Sequence, residues 1–486
     1  MPRSDVFQTF RDLHSLKATC TTLRDVISTD PQLGYADLRQ RIDHANQIVQ
    51  ETPDEQVTRS MNGLARILPL LSPRHRERLV HLASTMRDGS AMGQLSRQIA
   101  YLDRGQRNRL VKAAIAIVGQ SGWADALAGL GEAMTQLDEK QRKGLIAHVI
   151  GIDNDDRAKA TGIGHLARGF ASFEPEDRRR LVETAVIIDD QLCRAYAISR
   201  IADQMAHLNA TERTLSVECT FQMDDVDARA CALSALANAM DHLDAAQHEQ
   251  IFEGITNIAN EWAAAGALKA LCRRLAHLNG SQRQTILDRV IAMGDEGNQG
   301  EALSGVDMAA LDSPQRDRVI AAVERMADAE ARSGALAGLI GEAKHLSLAQ
   351  RERLVAASIA LDDFSRSDVL GFVPIAHLSA PQVDRLIAAA AEINHEEGRG
   401  KALSNLASQT PDLSSAQVDL LLEAISHISN ENQKADALGS MVKHGVHLNQ
   451  TQVDRIFAIT NEFQFQRARI EVMSNFLARE RPVPGA

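Results

Sequence analysis

The sequence predicts an all-α fold, an α-solenoid of about twelve helix–turn–helix repeats of roughly 35 residues each. Three observations carry this expectation. A short phrase recurs twelve times: an apolar residue, then Ser, Asp or Asn, two further residues, and usually Gln. Its apolar member stands at Leu71, Leu102, Leu137, Phe173, Leu208, Leu243, Leu278, Leu311, Leu346, Leu378, Leu413 and Leu448, with intervals between 31 and 36 residues. Apolar residues at helical spacing flank every one of these landmarks, and the phrase itself reads as a helix-capping box.

One repeat shows how the elements follow. In Ala232–Leu243 the residues Leu233, Leu236, Met240 and Leu243 fall on one face of a helix. Asp244 comes next, with Gln247 three residues on, so the Asp carboxylate accepts from an orphan amide and Gln247 reaches back to the cap. A second helix then runs from Ala245, with Ile251, Phe252, Ile255 and Ile258 on one side. The cap position holds Ser, Asp or Asn in eleven repeats. Glu174 is the exception, and Pro175 beside it suits a first helical position. Neither helix can bury its stripe alone, so neighbouring repeats must stack. With helices about 10 Å apart, the repeats make a superhelix on the order of 100 Å long. The intervals ending at Leu311 and Leu378 are short, and Pro374 sits in the region expected to be a first helix, so a bend is expected near 303–311 and 370–378. Three parts are expected: a helical N-terminal cap over 1–60, in which Leu38–Val49 resembles a degenerate second helix; a repeat domain over 61–478; and a disordered tail over 479–486.

Composition narrows the function. Aromatic residues make up 3% of the 486, which suits a thin seam of Ala and Leu between stacked helices. A formal charge of −11 argues against general affinity for phosphate backbones. Five cysteines (Cys20, Cys193, Cys219, Cys231, Cys272) form no CxxC pair, so ordinary thiols in a reducing compartment are expected. Cys193, Cys231 and Cys272 fall where other repeats place Ala or Leu, and burial is expected for them. No apolar run reaches a membrane-spanning length, and Arg3, Asp5, Arg11, Asp12 and Lys17 interrupt the first thirty residues. A soluble protein working in a cytosol is expected.

Stacking turns each repeat position into a column. Five residues past the landmark stand Arg76, Arg107, Arg142, Arg178, Arg213, His248, Arg283, Arg316 and Arg351, then Val383, Val418 and Val453. The valines point to a half-buried site, with the Arg stems packed between repeats and their guanidinium groups paired to carboxylates. Seven past the landmark stand Arg78, Arg109, Arg180, Arg318, Arg353, Arg385 and Arg455. This column lies roughly 160° round the helix. It is expected to be exposed and is the candidate contact surface. His207, His242, His277, His345, His377 and His447 precede their landmarks, where a ring N–H can cap carbonyls of the last helical turn. Asp88, Asp190, Asp225, Asn260, Asp295, Asp328, Asp363 and Asn430 are expected as caps of first helices. Arg194, Arg229, Arg332 and Arg399 near them are expected to form salt bridges between repeats.

Catalytic patterns are absent: there is no HExxH, P-loop or GxSxG, and the Gly162, Gly164, Gly169 set follows no strand. The chain is therefore expected to be no enzyme, with no cofactor and no metal.

The capped helix pairs resemble HEAT and armadillo-type α-solenoids. The Ala- and Arg-rich wording of Leu71–Ser84 and Leu346–Asp363 is similar to helical-repeat type III effectors of plant-associated bacteria. That resemblance implies a scaffold that grips a partner protein or peptide; in the effector case the protein comes from a bacterial cytoplasm, is secreted into a host cell and grips a host protein. A monomer is expected. The alternative is a helical-repeat RNA or DNA binder, which shares the 35-residue period but is usually basic.

Overall fold

The computed structural model describes residues 42–475, apart from 44, 119–121, 446–447, 466–467, 470–471 and 474. All regular structure among the described residues is helical. The chain divides into two compact units, Met1–Ala235 and Leu236–Ala486, with the division inside the helix Val226–Asn238.

In the first unit, first helices such as Gly89–Arg97, Trp123–Glu132, Asp156–Ala167 and Gln191–Ala202 alternate with second helices such as Arg104–Ala116, Glu139–Ile150 and Pro175–Val186. In the second unit the first helices are Glu261–Cys272, Glu296–Leu303, Ala329–Gly341, Asp363–Leu370, Glu396–Ser408 and Glu431–His444. The second helices between them include Gly280–Ile291, Ser313–Arg325, Leu348–Ile359, Ala380–Ala391 and Ser415–Ser426.

The connection within a repeat differs from the sequence expectation. The first helix does not run on to the landmark but passes into a 3-10 turn. Thus Glu261–Cys272 is followed by the turn Leu275–His277, after which Leu278 is extended (φ −97°, ψ 148°). The tighter turn sends both Leu275 and Leu278 into the core, 0% and 3% exposed. The cap Asn279 then starts the next helix. The capping box forms in ten of the twelve repeats. Glu174 makes no side-chain cap, and Ser72 accepts from His75 N without a box.

Successive first helices approach very closely. A Cβ on Gly93 would stand 2.4 Å from the carbonyl oxygen of Asp125, and one on Gly338 would stand 2.1 Å from that of Ser304. The second helices touch through longer side chains, so each stack is drawn together along its first-helix layer. Gly122, at φ +82°, enters the helix Trp123–Glu132 with the backbone of Gly89 against it.

A ladder not foreseen from the sequence ties first helices together. A first-turn carboxylate in one repeat accepts from the backbone amide at the start of the next. Asp156 accepts from Asp190 N at 2.8 Å, Glu261 from Gly294 N at 3.0 Å, Glu296 from Asp328 N at 2.6 Å, and Glu431 from Phe465 N at 2.7 Å. The aspartates and asparagines expected as caps do cap their helices, except that Asp362, not Asp363, caps its own. The expected salt bridges between repeats at the neighbouring arginines do not form. Arg194, Arg229 and Arg332 donate instead to the carbonyls of Ile188, Met223 and Met326, and Arg399 pairs with Glu396 of its own helix.

The two short repeats lose helix rather than kink it. Glu296–Leu303 and Asp363–Leu370 are 8 residues each, and Pro374 stands beyond the helix end as the cap of the turn Ile375–His377. Gln409 of the following repeat fills the gap, donating to Val373 O at 2.9 Å and accepting from Ile375 N at 3.0 Å. At the N-terminal side Asn46 accepts from Ser72 N at 2.8 Å, so the helical residues 45–51 dock on the first repeat. Residues 1–41 of the expected cap and the expected tail 479–486 lie outside the described residues.

Candidate functional surfaces

In the arginine column expected as a contact surface, five of the seven side chains form rungs between second helices. Arg109 pairs with Glu77, Arg385 with Glu352, and Arg455 with Glu423, each partner belonging to the preceding repeat. Arg318 meets Asp288 at 2.5 Å. Arg353 meets Glu324 at 2.6 Å and Asp317 at 3.3 Å. Arg78 meets Asp54 at 2.6 Å and donates to Thr52 O at 2.9 Å. Arg180 is exposed and makes no ion pair among the described residues. The partners feel these cations: Arg318 holds Asp288 below the usual carboxylate range, Arg385 does so for Glu352, and Arg455 for Glu423. Most of these guanidinium groups therefore bear on carboxylates of their own chain.

The column two residues earlier differs from its expected pairing. Its arginines are half-buried, but they donate to carbonyls rather than to carboxylates. Arg107 reaches Leu102 O at 2.8 Å in its own repeat and Gln136 O at 2.7 Å in the next; Arg283 does the same with Leu278 O at 2.9 Å and Ala310 O at 2.8 Å. Arg316 reaches Met308 O at 2.8 Å, and Arg351 reaches His377 O. These carbonyls end the 3-10 turns, where a cation is favoured. His248 reaches Met240 O at 2.7 Å in the same way.

The histidines lie in the 3-10 turns, not in the last turn of a helix. Two of the rings meet carboxylates rather than carbonyls. His277 meets Asp241 at 2.8 Å and His345 meets Glu342 at 3.7 Å, while His447 lies outside the described residues. Of the three thiols expected to be buried, two depart from expectation. Cys272 is buried, Cys193 is half-buried and Cys231 is exposed. Burial pushes Cys272 up to about 12, and burial with the nearby Asp190 pushes Cys193 up to about 11, so both stay protonated near neutrality. Among the described residues no group of three or more His, Cys, Asp or Glu could hold a metal ion, and no helix is long and apolar enough to cross a membrane.

Two grooves open on the first-helix layer of the second unit. One, of about 940 Å³, lies over Glu296–Leu303 and Ala329–Gly341, where Asp295, Glu296, Glu301, Asp328 and Glu330 outnumber Lys269. The other, of about 620 Å³, lies between Glu396–Ser408 and Glu431–His444 and mixes the amides and hydroxyls of Ser404, Asn405, Gln433, Ser440 and Asn475 with two carboxylates, two lysines and His444. Sequence reasoning missed both, since it followed charge on the second helices. The available signal was the run of Gly, Ser and Asn within first helices otherwise built of Ala and Leu.

No family model matches this sequence, and no curated protein matches it. Among solved structures, Kap121p bound to Pho4p is similar, with a TM-score of 0.50 and 9% identity over 94% of this chain and 60% of that one. A Kap95p structure with RanGDP reaches a TM-score of 0.44 at 13% identity, over 91% of this chain and 67% of that one. The chain thus spans about 60% of the length of the Kap121p chain it matches. The likeness concerns the fold, which is a HEAT-repeat-like helical solenoid.

Proposed function

We propose that this protein is a binding scaffold, not an enzyme, and that a single copy grips a partner protein or peptide along its solenoid surface. The observation that carries the reading is the state of its charged groups. Five of the seven arginines in the column seven past the landmark are matched by carboxylates of the preceding repeat, and the larger groove is itself acidic. A phosphate backbone needs unmatched cations, so nucleic acid is disfavoured. The two thiols held protonated and the lack of a metal-ligating cluster among the described residues favour binding over chemistry. Kap121p, of similar fold, is itself bound to a protein, Pho4p. Resemblance to type III effectors would make the partner a host protein and the place of action a host cell.

The test is affinity capture from cell extract with and without nuclease, beside direct titration with RNA and DNA probes. Capture of a defined protein that survives nuclease is expected, with no nucleic-acid affinity tighter than about 1 µM at physiological salt. Nuclease-sensitive capture, or a tighter probe, would overturn the reading.

A further inference from the structure

The groove beside Glu396–Ser408 belongs to a longer row of side chains. Counted from the helix caps Asp362, His395 and Asn430, the tenth residue is Phe372, Asn405 and Ser440, and Asn475 follows Ser440 at one repeat length. Contact bears out this register. A Cβ on Gly371 would meet Asn405 Nδ2 at 2.4 Å, and a Cβ on Gly439 would meet Asn475 Nδ2 at 2.8 Å. Asn405, Ser440 and Asn475 all line the groove. Phe372 stands next in the row, 64% exposed in a chain poor in aromatic residues.

These groups suit a main chain. Amides and hydroxyls each donate and accept, as a peptide unit does, and none selects a charge. Packed helices lie about 10 Å apart, and an extended chain rises about 3.3 Å per residue, so one group recurs for about every three residues of such a ligand. Charges around the groove nearly balance, with Glu397 and Asp436 against Lys443, while Lys401 is held by Asp368 at 2.7 Å. That balance disfavours both polyanions and strongly basic ligands.

We infer that this groove binds an extended segment of a partner protein through its main chain, with an apolar side chain of the segment seated on Phe372. The inference rests on the scaffold reading above and adds the place and the ligand chemistry. The test pans a random dodecapeptide display library on the full-length chain. An enriched peptide is then titrated as a synthetic probe, alongside analogues in which single backbone amides are replaced by esters. The variants are N405A/S440A and F372A, all at positions with solvent access, with unchanged circular dichroism as the folding control.

Affinity is expected to fall about tenfold or more in N405A/S440A and in at least one ester analogue, with a smaller loss in F372A for peptides carrying an apolar anchor. Unchanged affinity in both variants, or ester analogues that all bind like the parent, overturns the groove assignment. If such a peptide instead loses affinity on charge reversal at Arg318, Arg353 and Arg385, the scaffold reading survives and this inference fails. If no peptide is enriched and only a nucleic-acid probe binds, both fall.

Discussion

At the scale of single residues the caps carry the repeat, and their effect is measurable. Asp244 accepts from Gln247 N at 2.9 Å while Gln247 Oε1 accepts in return from Asp244 N at 3.1 Å. Asp244→Ala should cost about 1 kcal/mol in chemical denaturation. Glu174→Ala should cost much less, because Glu174 makes no side-chain cap. Equal losses at the two positions would mean that the side-chain bonds are not what starts these helices. His165 offers a second reading at this scale. Burial, with Arg168 and Arg200 nearby, pushes its ring down from 6.5 to about 4. The unfolded chain therefore takes up a proton first as the pH falls, so stability is full above pH 6.5 and declines between 6.5 and about 4. The ring is only partly buried, so the slope should stay below the roughly 1.4 kcal/mol per pH unit of a fully shifted group. His165→Gln should flatten that part of the stability–pH curve, and a curve of unchanged slope would assign it to other groups.

At the scale of elements, the close first helices reverse an ordinary substitution rule. Alanine favours a helix over glycine by about 1 kcal/mol. At Gly266 a Cβ meets nothing within 4 Å, so Gly266→Ala should raise stability by about that amount. At Gly93 the same change drives a Cβ to 2.4 Å from the Asp125 carbonyl, so Gly93→Ala should destabilise despite the better propensity. Melting temperatures of the two variants decide it, since shifts of the same sign would mean that first-helix spacing is not set by these contacts. Both glycines read alike in the sequence. Which one has a neighbour's backbone against it depends on how the next repeat stacks.

For the molecule as a whole, the two arginine columns should separate by their bonding. Arg316 and Arg351 reach carbonyls that close the 3-10 turns. A carboxylate there would be half-buried against those oxygens, so Arg316→Glu and Arg351→Glu should each cost several kcal/mol. Arg318, Arg353 and Arg385 form half-exposed pairs whose individual worth is about 0–1 kcal/mol. Reversing them one at a time should lower the melting temperature only slightly, and should weaken partner binding if the second-helix column contributes to it. Thermal unfolding of the five variants tests the division, and similar losses throughout would erase it.

The sequence by itself determined the repeat: its period, the starts of its second helices, and which stripe of each helix is buried. These features are local, since a cap and a 3.6-residue stripe are written within a dozen consecutive residues. It also marked the short repeats and the half-buried state of the arginine column five past each landmark. Only the tertiary structure decided what those polar groups bond to. The guanidinium of Arg107 finds the carbonyl of Gln136, and Glu261 finds the amide of Gly294, each a repeat length away in sequence. The same holds for the candidate site. Phe372, Asn405, Ser440 and Asn475 are unremarkable within their own repeats, and they become a row only when successive first helices stack in register. A local code can specify each helix pair, but a surface assembled from one residue per repeat is set by the packing between pairs.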